Sequence, residues 1–206
     1  MADPVLNVLA GALRLWIRSQ CDSLGSLELV LNGSTWSLLR GRLDGVTLKA
    51  RDACFQGLPL QSVELCSGPI AVDMKLLSPG QMLVLQQPFQ VEGEVTFNGR
   101  QLNSALLAEP WRWLGDWMAE QLMGLSPLGA LRIDEDLLEL QVPVAAQQDP
   151  VHRRFRLNAE QGTLCFRPET GDELRTLLPM EPAIRIEQVQ LVSGQLALKG
   201  QASVTL

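Results

Sequence analysis

The feature that most constrains this chain is an alternation of apolar and polar side chains that returns in separate segments along its length. It is clearest at 89–97, where odd positions are mostly apolar and even positions are polar. A period of two is typical of a β-strand with one buried and one solvated face. The same pattern occurs at 27–31, 46–51, 138–142 and 196–206. The sequence therefore predicts a mainly β chain of antiparallel strands.

Two finer features of these strands can also be predicted. Gly93 takes an inward position in the strand at 89–97, which indicates a bend or the close approach of another group. In the segment 184–192, the apolar positions change from even to odd near Glu187 and Gln188. Such a change of face predicts a β-bulge at this point.

Two other stretches have a helical period. Apolar side chains recur at steps of three and four residues over 5–17, after Asp3 as a cap and Pro4 at the first helical position. A second helical stretch, 102–124, contains three of the five tryptophans. Aromatic stripes at helical spacing are typical of core packing, and anchoring in a membrane interface is the alternative.

Composition limits the partners of this chain. The net charge of −6 and the pI near 4.9 argue against nucleic acid, because binding to phosphates requires clustered Lys and Arg. Charged residues make up 19% of the chain, against roughly 25% in an average soluble domain, so the surface carries more apolar area than usual. No apolar run of about 18 residues occurs, so no membrane-spanning helix is expected. The length and the even composition predict a single domain over 1–206.

Residues suited to catalysis are scarce. His152 is the single histidine, and without a second one most metal-ligand and triad schemes lack a base. The four cysteines form no C-x-x-C pair, and the acidic N-terminus lacks signal-peptide features, which predicts reduced thiols and a cytoplasmic location. A reversible disulfide between Cys54 and Cys66, on a hairpin-like return, is the one exception considered. We predict no catalytic residues, no metal site and no cofactor.

What is left is an excess of apolar strand faces and wide apolar helix stripes. This balance suits an apolar groove that binds lipid, because each buried CH₂ group contributes about 0.8 kcal/mol. It also suits a surface that binds another protein, and composition alone does not separate the two.

Three segments resemble the LmeA-like bacterial phospholipid-binding proteins, a family long described as a domain of unknown function. The first, 38–65, contains an aromatic-x-Gly-Leu step that begins at Phe55. The second, 91–107, leads from a strand into a helix through a Leu-Asn step. The third is the terminal hairpin at 184–202.

The resemblance implies an α+β, mainly β fold in which a highly curved antiparallel sheet is wrapped around a long amphipathic helix, with additional helices. Such a fold is similar to the tubular lipid-binding domains. The resemblance also implies a role in binding or moving membrane phospholipid or glycolipid. The family is not defined by catalytic residues, so none is carried over to this sequence.

We therefore expect a non-enzymatic protein, cytoplasmic or peripheral to a membrane, with an apolar lipid groove. The aliphatic side chains predicted to line the groove are Val46, Leu48, Val63, Leu65, Val91, Val95, Leu196 and Leu198. The residues predicted to contact lipid head groups or the membrane surface are Arg40, Arg42, Lys49, Arg51, Trp111, Trp113 and Trp117. Core packing explains the aliphatic set equally well, and solvated strand faces explain the basic set. The alternative function is a scaffold or assembly factor whose groove binds a segment of a protein partner, or a homodimer.

Overall fold

The computed structural model describes residues 4–71, 87–144, 149–170 and 175–205. Within them, the helices are α1 (Pro4–Gln20), α2 (Thr35–Leu39), α3 (Gly99–Leu106) and α4 (Arg112–Met123). The strands are β1 (Ser23–Asn32), β2 (Arg42–Leu43), β3 (Gly45–Phe55), β4 (Leu58–Ser67), β5 (Ile70–Ala71), β6 (Phe89–Asn98), β7 (Ala130–Asp134), β8 (Leu137–Val142), β9 (Val151–Glu160), β10 (Thr163–Pro168), β11 (Thr176–Leu177), β12 (Ile184–Val192) and β13 (Gln195–Val204). The two predicted helical stretches are confirmed as α1 and as α3 followed by α4. The predicted cap, Asp3, lies outside the described residues.

The strands form two main sheets. The large sheet has six strands in the order β1-β3-β4-β6-β13-β12, and the small sheet has five in the order β11-β10-β9-β8-β7. Strands β2 and β5 pair with each other, and the pairings are antiparallel. Strands account for about half of the described residues, so the predicted mainly β, antiparallel class is confirmed, and the described strands do not close into a barrel.

One face of the large sheet is apolar across its full width. Leu48 lies opposite Leu29 on β1 and Leu65 on β4, and Val95 lies opposite Val63 on β4 and Leu198 on β13. Residues that pair directly across antiparallel strands point to the same side of the sheet. We call this side the inner face. All eight aliphatic residues that the sequence predicts for a groove lie on it.

The opposite side, the outer face, carries charge. Lys49 lies between Glu28 on β1 and Glu64 on β4, and Glu64 lies opposite Glu94 on β6. The Lys49 Nζ is 2.9 Å from a carboxylate oxygen of Glu64. The outer face is therefore the solvated side of the alternation seen in the sequence.

Two separate apolar clusters cover the inner face. The first cluster lies between the small sheet, α3, α4 and the β12–β13 end of the large sheet, and contains fully buried side chains such as Leu140 and Phe155. The second cluster lies at the β1–β3 end, where α1 and α2 contribute Leu6, Ala10 and Leu38. The chain thus builds one apolar face and covers its two ends with different elements.

The predicted wrapping of the sheet around a long helix is not confirmed. The longest helix among the described residues is α1, with 17 residues, and it packs on β1 at one end of the large sheet.

Both finer predictions about the strands are confirmed. The pairing of β12 with β13 shifts register between Ile186 and Gln188, as a β-bulge requires. Gly93 lies opposite Leu65 and Gly200, and a Cβ atom at Gly93 would stand 2.1 Å from the carbonyl oxygen of Glu64. The centre of the sheet therefore leaves no room for a side chain at this position.

The structure does not bring Cys54 and Cys66 together. Cys54 lies opposite Pro59 and Cys66 lies opposite Thr47, so the pair is separated by seven residues of strand, about 23 Å. All four cysteines are free thiols. Burial raises the pKa of the Cys54 and Cys165 thiols, which keeps them protonated at neutral pH.

The close approach at Gly93 gives a stability prediction. Gly93→Ala forces the β4 backbone away from β6, so we expect the free energy of unfolding in urea to fall by about 1–3 kcal/mol. The control is Gly11→Ala in α1, where a Cβ atom would meet nothing within 4 Å. Because alanine favours a helix over glycine by about 1 kcal/mol, the control should unfold at equal or higher urea concentration. Wild-type stability of Gly93→Ala would contradict the close approach.

Candidate functional site

A cavity of about 270 Å³ lies between α1 and the inner face of the large sheet. Its lining comes from α1, from the short strands β2 and β5, and from four strands of the large sheet. The lining residues are Leu13, Trp16, Ile17, Leu29, Leu43, Val46, Leu48, Leu65, Ser67, Ile70, Phe89 and Val91. Eleven of these twelve side chains are hydrocarbon or aromatic, so the cavity suits an apolar ligand.

The roof of the cavity is the apolar stripe of α1. Leu13 and Ile17 lie one turn apart on the buried side of the helix, as their spacing of four residues requires. A guanidinium nitrogen of Arg14 donates a hydrogen bond of 2.7 Å to the carbonyl oxygen of Leu29 on the edge strand β1. Edge strands leave such carbonyls without a strand partner, so this bond fixes α1 against the sheet.

The floor of the cavity presents no free polar group to a ligand. Ser67 is the one hydroxyl in the lining, and its Oγ accepts a hydrogen bond of 2.8 Å from the Val46 N–H. This hydroxyl oxygen therefore keeps a hydrogen-bond partner when a hydrocarbon chain covers it. None of the described lining residues is charged, so a ligand's charged group is more stable outside the cavity.

The cavity opens beside Trp16. This side chain lines the cavity and is at the same time 58% exposed, so it marks the boundary between cavity and solvent. The short helix α2 lies at the same end of the molecule, because its Leu38 is buried in the second cluster. Ser34 caps α2, and its Oγ accepts a hydrogen bond of 3.1 Å from the Ser37 N–H.

The structure divides the predicted aliphatic groove residues between two places. Four of them, Val46, Leu48, Leu65 and Val91, line the cavity. Val63 is buried and Val95 half-buried on the same face beyond the cavity. Leu196 belongs to the first cluster and Leu198 packs against it, at the other end of the sheet.

Sequence reasoning did not assign the helical side of the cavity. Leu13, Trp16 and Ile17 were identified as part of a wide apolar stripe but not as site residues. The width of that stripe is the signal that could have identified them. A helix with a wide apolar stripe has to bury more of its surface against neighbouring elements or a ligand than a helix with a narrow stripe. Leu43 and Ile70 carry no comparable signal, since β2 and β5 have only two residues each. Phe89 belongs to the clear alternation at 89–97, but it was not selected as a site residue.

The predicted basic residues also separate. Arg40 follows α2 and Arg42 begins β2, next to the cavity-lining Leu43, so both lie at the cavity end. Lys49 and Arg51 lie on the outer face, where Lys49 pairs with Glu64.

Two of the three predicted tryptophans of the α4 region lie at the first cluster. Trp111 and Trp117 pack against that cluster, and the Trp111 Nε1 donates a hydrogen bond of 2.8 Å to the Gln56 carbonyl oxygen. Trp113 is 60% exposed. None of the three lines the cavity under α1.

A larger cleft of about 700 Å³ lies elsewhere, between the start of α3, strand β7 and the β12–β13 turn. Its lining is largely polar and includes Arg100, Arg132 and Asn103. The Asn103 Oδ1 accepts a hydrogen bond of 2.6 Å from the Leu131 N–H, so this residue joins α3 to the small sheet. A polar, open cleft of this kind does not suit a hydrocarbon chain.

His152 belongs to an ion-pair cluster on the small sheet. Its Nδ1 lies 3.3 Å from Glu139, whose carboxylate also pairs with Arg154 at 3.2 Å and accepts a hydrogen bond from Gln141 at 2.8 Å. The pKa of the Glu139 carboxyl is lowered, because Gln141, His152 and Arg154 stabilise the charged form more than burial disfavours it. This cluster holds neighbouring strands together and lies away from the cavity.

Among the residues that the structure describes, no group of His, Cys, Asp or Glu side chains is arranged to hold a metal ion. No helix there is long and apolar enough to cross a membrane.

These features define an antiparallel β protein with an apolar cavity beneath a surface helix. The model of the LmeA-like phospholipid-binding family matches residues 3–201, nearly the whole chain, and the protein belongs to that family. The resemblance inferred from the sequence is thereby confirmed. No curated protein and no solved structure matches the chain.

The lowered pKa of Glu139 predicts a pH-dependent contribution to stability. Because the pKa is lower in the folded state, the contribution is present above the usual value of 4.5 and is lost as the pH falls through the folded value. We expect Glu139→Gln to reduce the free energy of unfolding by about 1–2 kcal/mol at pH 7 and by much less at pH 3. Urea denaturation at both pH values measures the difference.

The control for this prediction is Glu120→Gln on α4, since Glu120 is exposed. Its effect should stay within about 0.5 kcal/mol at either pH. A loss at Glu139 that is the same at pH 7 and pH 3 would mean that packing, not the charge, stabilises this site.

Proposed function

We propose that this protein binds a membrane phospholipid or glycolipid without catalysis, with an acyl chain in the cavity between α1 and the large sheet. In this proposal, residues 1–206 act as one lipid-binding domain peripheral to a membrane. The observation that carries it is the cavity lining, which is apolar except for one hydroxyl that already has a partner. Membership of a phospholipid-binding family supports the same ligand class. The large sheet would serve as the curved wall of a tubular lipid-binding-like fold, with α1 on its inner side.

The size of the cavity sets how much of the lipid it can hold. Its volume of about 270 Å³ is close to the lower end of the roughly 300–1,000 Å³ typical of small-molecule pockets. A buried segment of about eight methylene groups would contribute about 6 kcal/mol. Association itself costs about 4–15 kcal/mol, so the acyl segment alone binds weakly. Head-group contacts are therefore part of the proposal.

Arg40 and Arg42 are the proposed head-group contacts. Both are exposed and lie next to Leu43, whose side chain lines the cavity. A guanidinium group binds phosphate oxygens in a planar, bidentate arrangement. A phospholipid whose acyl chain enters the cavity would leave its phosphate outside, where these two side chains can reach it.

The proposal assigns the cavity no catalytic step. Ester cleavage requires a nucleophile and a base in contact with the substrate. Among the described lining residues, the Ser67 hydroxyl is the only nucleophilic group, and none of them is a base. Binding, and release to another membrane, are the functions that this lining supports.

The proposal is tested by native mass spectrometry of the freshly purified protein, followed by organic extraction and lipid identification. We expect a bound phospholipid or glycolipid near one per protein. A lipid-free protein that also fails to bind anionic liposomes would overturn the proposal. A salt-resistant complex with a protein segment in the cavity would replace it with the scaffold function.

A large side chain introduced into the cavity should prevent lipid from binding there. Val91 lines the cavity from β6, and Val91→Trp places an indole in the space that the acyl chain would take. We expect co-purified lipid to fall at least about tenfold, measured by extraction and mass spectrometry. The matched control is Val30→Trp on the outer face of β1, where the native side chain is exposed. The control should retain wild-type lipid, and equal lipid in both variants would place the ligand elsewhere.

A further inference from the structure

Exposed apolar side chains are concentrated on α1 and α2. Among the described residues, twelve large hydrophobic side chains are exposed, and five of them belong to these two helices. The five are Val8, Leu15, Trp16, Trp36 and Leu39. Trp36 is 73% exposed, although α2 has only five residues. An apolar surface of this kind normally marks an interaction site.

The same segments carry only positive charge. Residues 4–21 and 33–43 contain Arg14, Arg18, Arg40 and Arg42 and no Asp or Glu, in a chain whose net charge is −6, and Asp22 and Asp44 follow the two segments directly. Four acidic residues of the large sheet, Glu28, Glu64, Glu92 and Glu94, lie on the outer face together with Lys49 and Arg51. The helix side of the cavity end therefore carries a local excess of arginine, whereas acidic and basic side chains are mixed on the outer face.

The opening of the cavity lies in this basic, apolar surface. Trp16 belongs both to the exposed apolar set and to the cavity lining. Arg42 directly precedes Leu43, another lining residue. A partner that covers the surface formed by α1, α2 and residues 40–42, the α1–α2 surface, therefore also covers the cavity opening.

We propose that the α1–α2 surface docks on an anionic lipid bilayer, with Trp16, Trp36 and Leu39 inserted at the interface and Arg18, Arg40 and Arg42 against the head groups. Apolar insertion and attraction to anionic lipid together are what hold a peripheral protein on a membrane. In this orientation, the cavity opens toward the bilayer, and an acyl chain passes into it without crossing water. The inference rests on the proposed function only in its use of the cavity.

Two other occupants fit the charges less well. A second copy of this chain, docked through the same surface, would bring four arginines against four arginines, and like charges oppose such contact. If the α4 region docked on the bilayer instead, its exposed Trp113 would be the aromatic contact. The surrounding surface carries the exposed carboxylates Glu109 and Glu120 and the Arg112–Asp116 ion pair, which suit an anionic surface less well. Charge complementarity thus selects an anionic membrane and the α1–α2 surface.

The test is flotation of the full chain with phosphatidylcholine vesicles, prepared with and without phosphatidylglycerol. We expect binding only to the anionic vesicles, and weaker binding at high salt, where screening shortens the reach of the charges. The triple change Arg18→Gln, Arg40→Gln and Arg42→Gln should lower the partition coefficient roughly fivefold per arginine, about a hundredfold in all. The double change Trp36→Ser and Leu39→Ser should lower it about tenfold.

Matched controls change the same residue types elsewhere. Arg100→Gln, Arg132→Gln and Arg185→Gln remove three exposed arginines outside the α1–α2 surface, and Trp113→Ser removes the exposed tryptophan of α4. Both controls should float like the wild-type protein, apart from the general effect of net charge. The inference would be overturned if the wild-type protein did not bind anionic vesicles. It would also be overturned if Trp113→Ser lost binding while the two α1–α2 variants bound like the wild-type protein. Concentration-dependent dimerisation that the Trp36 and Leu39 changes abolish, without vesicle binding, would assign the surface to a second copy instead.

A second measurement separates this inference from the proposed function. Binding of a soluble fluorescent fatty acid, without vesicles, reports on the cavity alone. The Trp36→Ser and Leu39→Ser variant should retain this binding, because neither side chain lines the cavity or belongs to the proposed head-group contacts. Val91→Trp should lose it and still float with anionic vesicles. If the wild-type protein binds vesicles but no fatty acid, the docking surface is supported and the proposed binding of an acyl chain in the cavity is wrong.

Discussion

The register of the large sheet is the constraint on which the rest of this structure depends. In each antiparallel pair, alternate side chains point to the same side of the sheet. Because six strands are paired in register, their apolar side chains form one continuous face. Among the described elements, no single helix covers the whole of this face. The small sheet with α3 and α4 covers one end, and α1 with α2 covers the other. The cavity lies at the second end, where helix and sheet side chains leave space between them.

The two ends of the inner face differ in how completely they are packed. The first cluster contains most of the fully buried side chains, among them Leu138, Leu140 and Phe155, and hydrogen bonds such as Trp111 to Gln56 join its elements. The second cluster borders an open cavity and lies beneath the exposed helix α1. Close packing is the normal state of a protein interior, so this cluster is the less completely packed of the two.

Charge follows the same division. The ion pairs on the small sheet and the outer face, such as Glu139 with Arg154 and Lys49 with Glu64, connect neighbouring strands and offer no reactive group to the cavity. Residues 4–21 and 33–43 contain four arginines and no Asp or Glu, although Asp22 and Asp44 follow these segments directly. This local excess of positive charge lies at the cavity end of the molecule and is the basis of the proposed attraction to an anionic surface.

The sequence by itself determined the local features of this protein. The two-residue period identified the strands and the buried side of each, the three- and four-residue steps identified α1 and the α3–α4 stretch, and the change of phase near Glu187 located the bulge. A period reveals which way a side chain points from its own strand, and all eight aliphatic residues selected in this way do share one face. It does not reveal what lies above that face. Val46 and Leu198 have the same pattern, yet one lines the cavity and the other packs against the first cluster.

Tertiary structure decided the rest, because pairing between distant segments sets where along the sheet each residue lies. The register of β3 with β4 separated Cys54 from Cys66, although their spacing suits a hairpin. The packing of α1 on β1 placed Trp16 at a cavity opening, and α2 was too short for its period to be recognised in the sequence. Strand pairing and helix packing bring together residues that are far apart in the sequence. These contacts place α1, β2, β5 and the large sheet around one apolar cavity.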